Sequence, residues 1–187
     1  MDVDRDDHIC YSIRELRIRG FMIKGQDIVV LAALMDSLRQ KDTYAELGAH
    51  VCLSASETHA AVNRLIDAAL ITADHRALKR NALEFLAHGI RYAFPLRPGG
   101  VMAKGLPTAY AAPVAKGQFA ATGICPVWSW TGGGVYGQSV EPLYRTAPEA
   151  AANDRGLYDR LALIDMLRGG RLRERLFAQN KLEEMIA

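Results

Sequence analysis

The chain has 187 residues, half of them apolar and 24% charged, with a formal charge of +2. That is an ordinary globular balance, long enough for a real core, and it lacks the overall basic excess that would by itself announce nucleic acid. Three cysteines, Cys10, Cys52 and Cys125, are odd in number and widely spaced. They exclude a C-x-x-C or clustered metal site and fit a reducing cytoplasm.

The first ten residues, MDVDRDDHIC, are acidic and lack an apolar stretch, so neither a signal peptide nor a lipidation site is expected there. His8 and Cys10 stand too close in sequence for a metal pair. Residues 25–40 carry Ile28, Leu31, Ala32, Met35 and Leu38 at helical spacing, which predicts a helix with one face in a core. Asp27 suits its positive end, and Arg39 and Lys41 its negative end. The apolar run at 28–35 is far too short to span a bilayer.

A second helix is predicted from Thr43, with Glu46 completing a capping box, and Tyr44, Leu47 and Val51 sharing a face. A tight turn follows at residues 52–53. Ser54 then opens a third helix with its own capping box through Glu57. Thr58, Ala61, Val62, Leu65 and Ala69 fall on its inner side. Ser56, Glu57, His59, Ala60, Asn63 and Arg64 fall on its outer side. Small residues let a helix approach base edges, Asn pairs with adenine, and Arg pairs with guanine or phosphate. Glu57 can accept from cytosine N4 but otherwise repels phosphate.

Residues 46–71 resemble the winged helix-turn-helix of MarR-like bacterial regulators, whose pattern runs roughly E-L-A-x-x-L-G-L-S-x-S-T-V-x-R-A-V-x-R-L-x-x-A-G-L-I. The chain matches it without a gap at Glu46, Leu47, Val51, Leu53, Ser54, Ser56, Ala61, Val62, Arg64, Leu65, Ala68, Leu70 and Ile71. The resemblance implies that residues 54–69 are a recognition helix. Three departures stand out. Cys52 holds the glycine position of the turn, where a left-handed backbone would be strained, and Ala69 holds the later glycine. No ordinary Gly-, Asp- and Arg-rich wing follows Ile71.

Residues 77–88 predict another amphipathic helix, with Leu78, Ala82, Phe85 and Leu86 inward and Gly89 as its cap, before a strand at 90–95. Between residues 74 and 104 six cations (Arg76, Lys79, Arg80, Arg91, Arg97 and Lys104) face two anions, a local excess that suits phosphate contacts. Glycines and prolines predict loop with short extended pieces from 96 onward, and a displaced wing carrying Arg97 and Lys104 would lie there. A β-hairpin is predicted with strands at 127–131 and 135–140, packed by Trp128, Trp130 and Tyr136. Gly132, Gly134 and Gly137 spell G-x-G-x-x-G, but a strand-like stretch ending at Pro142 follows where a dinucleotide site needs a helix, so a turn is expected. The tail from 148 predicts two helices broken at Gly169 and Gly170. They are expected to form a dimer seam, or alternatively to fold back on their own domain, with Arg168, Arg171, Arg173 and Arg175 as a basic cluster at the break.

The expected architecture is α+β, mainly α. A winged-helix-like helix-turn-helix domain spans residues 1–95, a loop and small β-hairpin region 96–148, and C-terminal helices 149–187. The five histidines stand singly, with no H-E-x-x-H, G-x-S-x-G or phosphate-binding loop, so no enzyme, metal or cofactor is expected. The expected function is a cytoplasmic, sequence-specific regulator that binds double-stranded DNA as a homodimer, with no membrane contact. Ser54, Ser56, His59, Ala60, Asn63 and Arg64 would face the groove, and Thr43, Tyr44, Arg76, Lys79, Arg80 and Arg97 the phosphates. A module that binds a protein partner, antitoxin-like, is the alternative. Mutating Trp128 or Trp130 would then discriminate.

Overall fold

In the computed structural model the described residues are 22–119 and 123–186, and they form a mainly helical α+β structure. The sequence features of His8 and Cys10 lie outside these residues. Helix α1 (Gly25–Leu34) is apolar on all sides, and every residue from Asp27 to Leu34 is buried. Such a helix belongs at the centre of a core. It ends six residues earlier than its spacing predicts. Asp36 caps a separate 3-10 turn (Ser37–Lys41) by accepting from Leu38 N at 3.0 Å, and Leu38 points outward, 76% exposed.

Helix α2 (Tyr44–Val51) and helix α3 (Ala55–Asp67) follow, and both predicted capping boxes form. Thr43 N donates to Glu46 Oε2 at 2.8 Å, and Ser54 N donates to Glu57 Oε2 at 3.0 Å. The turn between the helices takes the left-handed backbone that the pattern's glycine implies: Cys52 has φ 56°, ψ 43°. Ala69, at the second glycine position, has φ 53° and is exposed, where an inward side chain was expected. Gly48 lets the two helices close on each other, since a Cβ there would stand 2.8 Å from Leu53 O. Leu47, Val51, Val62 and Leu65 bury against α1.

After α3 the chain makes a small turn. Ile71 pairs antiparallel with Ala77, Thr72 N donates to Arg76 O at 2.8 Å, and Leu78 N donates to Leu70 O at 2.9 Å. A single bridge and a tight turn thus stand where the resemblance would place a wing hairpin. Helix α4 (Lys79–Glu84) then runs through a π-helical turn (Phe85–Gly89) into helix α5 (Ile90–Ala93). Gly89 is therefore not a cap, and residues 90–93 are helix, not strand. Ile90 and Leu86 bury on the same side as Ala82, so helical periodicity continues past the glycine.

The region expected to be loop holds the longest strand, β1 (Pro98–Pro107). Strands β2 (Pro126–Ser129) and β3 (Val135–Val140) both run antiparallel to β1, and lie parallel to each other, closing a three-stranded barrel. The expected β2–β3 hairpin is thus corrected. Gly133 crosses directly over Gly105, where a Cβ would stand 2.1 Å from the Gly105 carbonyl carbon, and the chain changes edge of β1 at that crossing. Gly137 lies in β3, so the G-x-G-x-x-G opens a strand and no phosphate-binding helix.

Helices α6 (Ala147–Asn153), α7 (Arg155–Gly169) and α8 (Leu172–Ile186) complete the chain, broken at Gly170 as expected. Residues 160–168 of α7 are all buried, packed on α1, α5, α6 and α8. This corrects two expectations. Helix α7 folds onto its own chain and offers no dimer seam, and Arg168 is no surface cation. It meets buried Asp165 at 2.5 Å and donates through Nε to Phe94 O at 2.8 Å. Asp165 also accepts from Thr108 Oγ1 and from Trp128 Nε1, each at 2.8 Å. Burial pushes this carboxyl up, and Arg168 and the two neutral donors oppose the shift. The network pins the barrel to α7, and one continuous apolar core includes residues from α1 through α8.

Candidate nucleic-acid interface

Three elements meet at one surface: the first turn of α2, the outer face of α3, and the turn at residues 72–76. Tyr44 is the first residue of α2, placed by the Thr43 cap. Its ring packs against His59 of α3 with centroids 4.9 Å apart at 76°. Its hydroxyl lies 3.2 Å from His75 Nε2, and His75 sits at the turn tip with φ 64°. One α-turn further along α3, Asn63 Nδ2 donates to His59 Nε2 at 3.3 Å. Ser56, His59 and Asn63 are exposed and Ala60 partly so, which leaves the expected groove face open to solvent.

Arg64 does not belong to that face. Its Nε and one terminal nitrogen meet the two oxygens of Asp27 at 2.8 and 2.6 Å. Asp27 is wholly buried, and Arg64 keeps only 19% of its side chain exposed. The bidentate bonds to Asp27 hold the guanidinium above its ordinary range. The expectation that Arg64 reads a base is corrected for a physical reason: the buried carboxylate at the start of α1 needs a counter-charge, and α3 supplies it.

The remaining charges lie around the edges. Glu46 and Glu57 stay well ionised because Thr43 and Ser54 donate to them. Thr72 likewise lowers Asp74, which pairs with exposed Arg76 at 2.7 Å. Lys79 and Arg80 are exposed at the start of α4, beside the turn. Arg97 stands just before β1, where its carbonyl accepts from Glu141 N at 3.1 Å, so it belongs to the barrel and not to the turn.

Two residues that sequence reasoning missed reach the start of α3 from the second half. Tyr144 donates to Glu57 Oε1 at 3.4 Å, and exposed Arg145 lies over the Tyr144 ring at 5.7 Å. Eighty-seven positions separate Tyr144 from Glu57, so no local pattern signals the contact. Nearby, Thr146 Oγ1 donates to Val51 O at 3.4 Å, and His50 Nε2 stands 3.3 Å from Asp154 Oδ2.

Trp128 is 1% exposed and Tyr136 69% exposed, so substituting Trp128 would test folding and Tyr136 would test a surface. Among the described residues no three or more His, Cys, Asp or Glu side chains are grouped as a metal site needs, and no helix is long and apolar enough to cross a membrane. The chain matches no protein-family model, no curated protein and no solved structure.

Proposed function

We propose that the protein is a DNA-binding transcriptional regulator of winged helix-turn-helix type, with α3 as its recognition helix. The observation that carries this reading is the outer face of α3. Ser56, Ala60 and Asn63 are small or amide side chains along one side of a capped helix, Ser56 and Asn63 exposed and Ala60 half-buried. Nothing in packing asks for that composition, whereas a major groove does. Thr43, Tyr44 and the tip at residues 72–76 flank it where a backbone would run. Arg145 stands at its N-terminal end.

The regulator would act as a homodimer, because one half-site gives limited affinity and specificity. With α7 buried, α8 is the surface for it, through Leu172 and Leu176, which are 63% and 52% exposed. Sedimentation of wild type beside Leu172→Glu/Leu176→Glu tests this. A dimer that the variant splits is the expected result.

The protein-partner reading keeps one specific support. With Arg64 withdrawn, α3 presents no other arginine or lysine, and Asp67 lies exposed at its end. Selection from a random duplex pool decides between the two. The DNA reading expects an enriched motif that Asn63→Ala relaxes at one position, at a cost of about 1–3 kcal/mol. A pool that stays random would refute it.

A further inference from the structure

The candidate interface contains an arrangement that outlines how it engages phosphate, and the inference rests on the DNA reading above. Two imidazoles from different elements converge on one tyrosine. His59 comes from α3 and His75 from the turn tip, and Tyr44 between them opens α2. Arg64 is committed to Asp27, so α3 brings no permanent positive charge of its own to the surface. Among the described residues, Asp74 and Arg76 of the same turn pair with each other at 2.7 Å, and Lys79 and Arg80 follow at the start of α4.

The contact with Asn63 defines a neutral His59, and the Tyr44 hydroxyl can serve His75 as donor or acceptor. An amide nitrogen only donates, so Asn63 Nδ2 can bond His59 Nε2 only while that nitrogen carries no proton. With His75 Nε2 also bare, the Tyr44 hydroxyl donates to it and is turned inward. Protonation breaks the first bond and reverses the second. His59 Nε2–H can no longer accept, and Asn63's amide donors are released toward the groove. His75 Nε2–H donates to the Tyr44 oxygen, and the Tyr44 O–H is left to point outward to an acceptor. The same two protons place two positive charges beside that hydroxyl.

We propose that Tyr44, His59 and His75 form a proton-gated anchor for the phosphodiester backbone of duplex DNA, and that protonation also frees Asn63 to read a base. Histidine is the side chain whose ordinary change of charge falls between about pH 5 and 8, which sets the range of the test. By linkage, DNA that binds the protonated form draws protons onto the protein. Each histidine that takes part should tighten binding at the lower pH by up to about tenfold. Each added phosphate contact should steepen the dependence of log affinity on log salt by about 0.9.

The test is fluorescence anisotropy of the full chain on a labelled mixed-sequence duplex several helical turns long, across a salt series at about pH 8 and about pH 6. Mixed sequence suffices because phosphate contacts do not depend on base identity. The variants are His59→Gln, His75→Asn, their combination, and Tyr44→Phe. Asparagine is chosen at 75 because it tolerates a positive φ. Circular dichroism at both pH values confirms that each variant is folded. The expected result is tighter, more salt-steep binding at the lower pH, reduced in each single variant and absent in the pair. Tyr44→Phe should lose the His75 share. Equal binding at both pH values overturns the anchor and leaves the DNA reading standing. A pH response that survives in the double variant also overturns it, since His8, His50 or His88 would then be responsible. No binding at either pH, even at low salt, overturns both.

Discussion

The Arg64 guanidinium meets Asp27 through two parallel bonds, and Asp27 has no access to solvent. Removing one partner of such a pair leaves an uncompensated buried charge. Arg64→Ala should therefore cost about 3–5 kcal/mol of stability, measured by urea denaturation. Asn63→Ala, one position away on the exposed side, should leave stability within about 0.5 kcal/mol of wild type. Equal, small effects of both substitutions would mean that the pair contributes little. Backbone strain is legible at the same scale. An L-residue in the left-handed region costs about 1–2 kcal/mol, while glycine costs entropy in the unfolded chain. Ala69 is exposed with φ 53°, so Ala69→Gly should stabilise by about 0.5–1 kcal/mol and raise Tm by roughly 2 °C. Cys52→Gly should gain less, because the Cys52 side chain packs against the core. A lower Tm for Ala69→Gly would contradict this account of the turn.

At the scale of elements, Asp165 is the joint between the barrel and the helices, holding Thr108, Trp128 and Arg168 together. Asp165→Ala strands the Arg168 charge and should cost about 3–5 kcal/mol. Because the joint couples β2 to α7, the fluorescence of Trp128 and Trp130 and the helical dichroism should lose signal at one midpoint in wild type. Two separate midpoints would show that the barrel unfolds independently. The helices were legible in the sequence wherever local rules decide them: T-x-x-E and S-x-x-E boxes mark the starts of α2 and α3, and Gly169–Gly170 marks the α7–α8 break. The strands were not. Gly99, Gly100 and Gly105 in β1 read as breakers, yet Gly99 and Gly105 accept the close approach of Ser139 and Trp128. A non-local contact set that use. For the same reason the burial of Arg64 and Arg168 was hidden, since their partners come from buried carboxylates whose positions depend on the finished core.

For the whole molecule, the seam between the first helices and the C-terminal helices sets a pH dependence. His50 lies there between Asp154, Arg39 and Arg160, and desolvation, then Arg39, pushes its pKa below the ordinary value. A group that resists protonation only when folded gives stability that is full above the ordinary value near 6.5 and falls as pH drops through that value toward the folded one. Melting temperature should therefore decline below about pH 6.5, and His50→Gln should flatten that decline. An unchanged decline would assign it elsewhere. The seam also packs α2 against α6, so the proposed reading surface rests on both halves of the chain. The most direct measurement of that surface is an amide chemical-shift titration of isotope-labelled protein with a selected duplex. The account predicts shifts concentrated at Thr43 and Tyr44, along α3 at Ser56, His59 and Asn63, and at the turn around His75. Shifts confined to the barrel around Val101 and Tyr136, or none at saturating duplex, would contradict it.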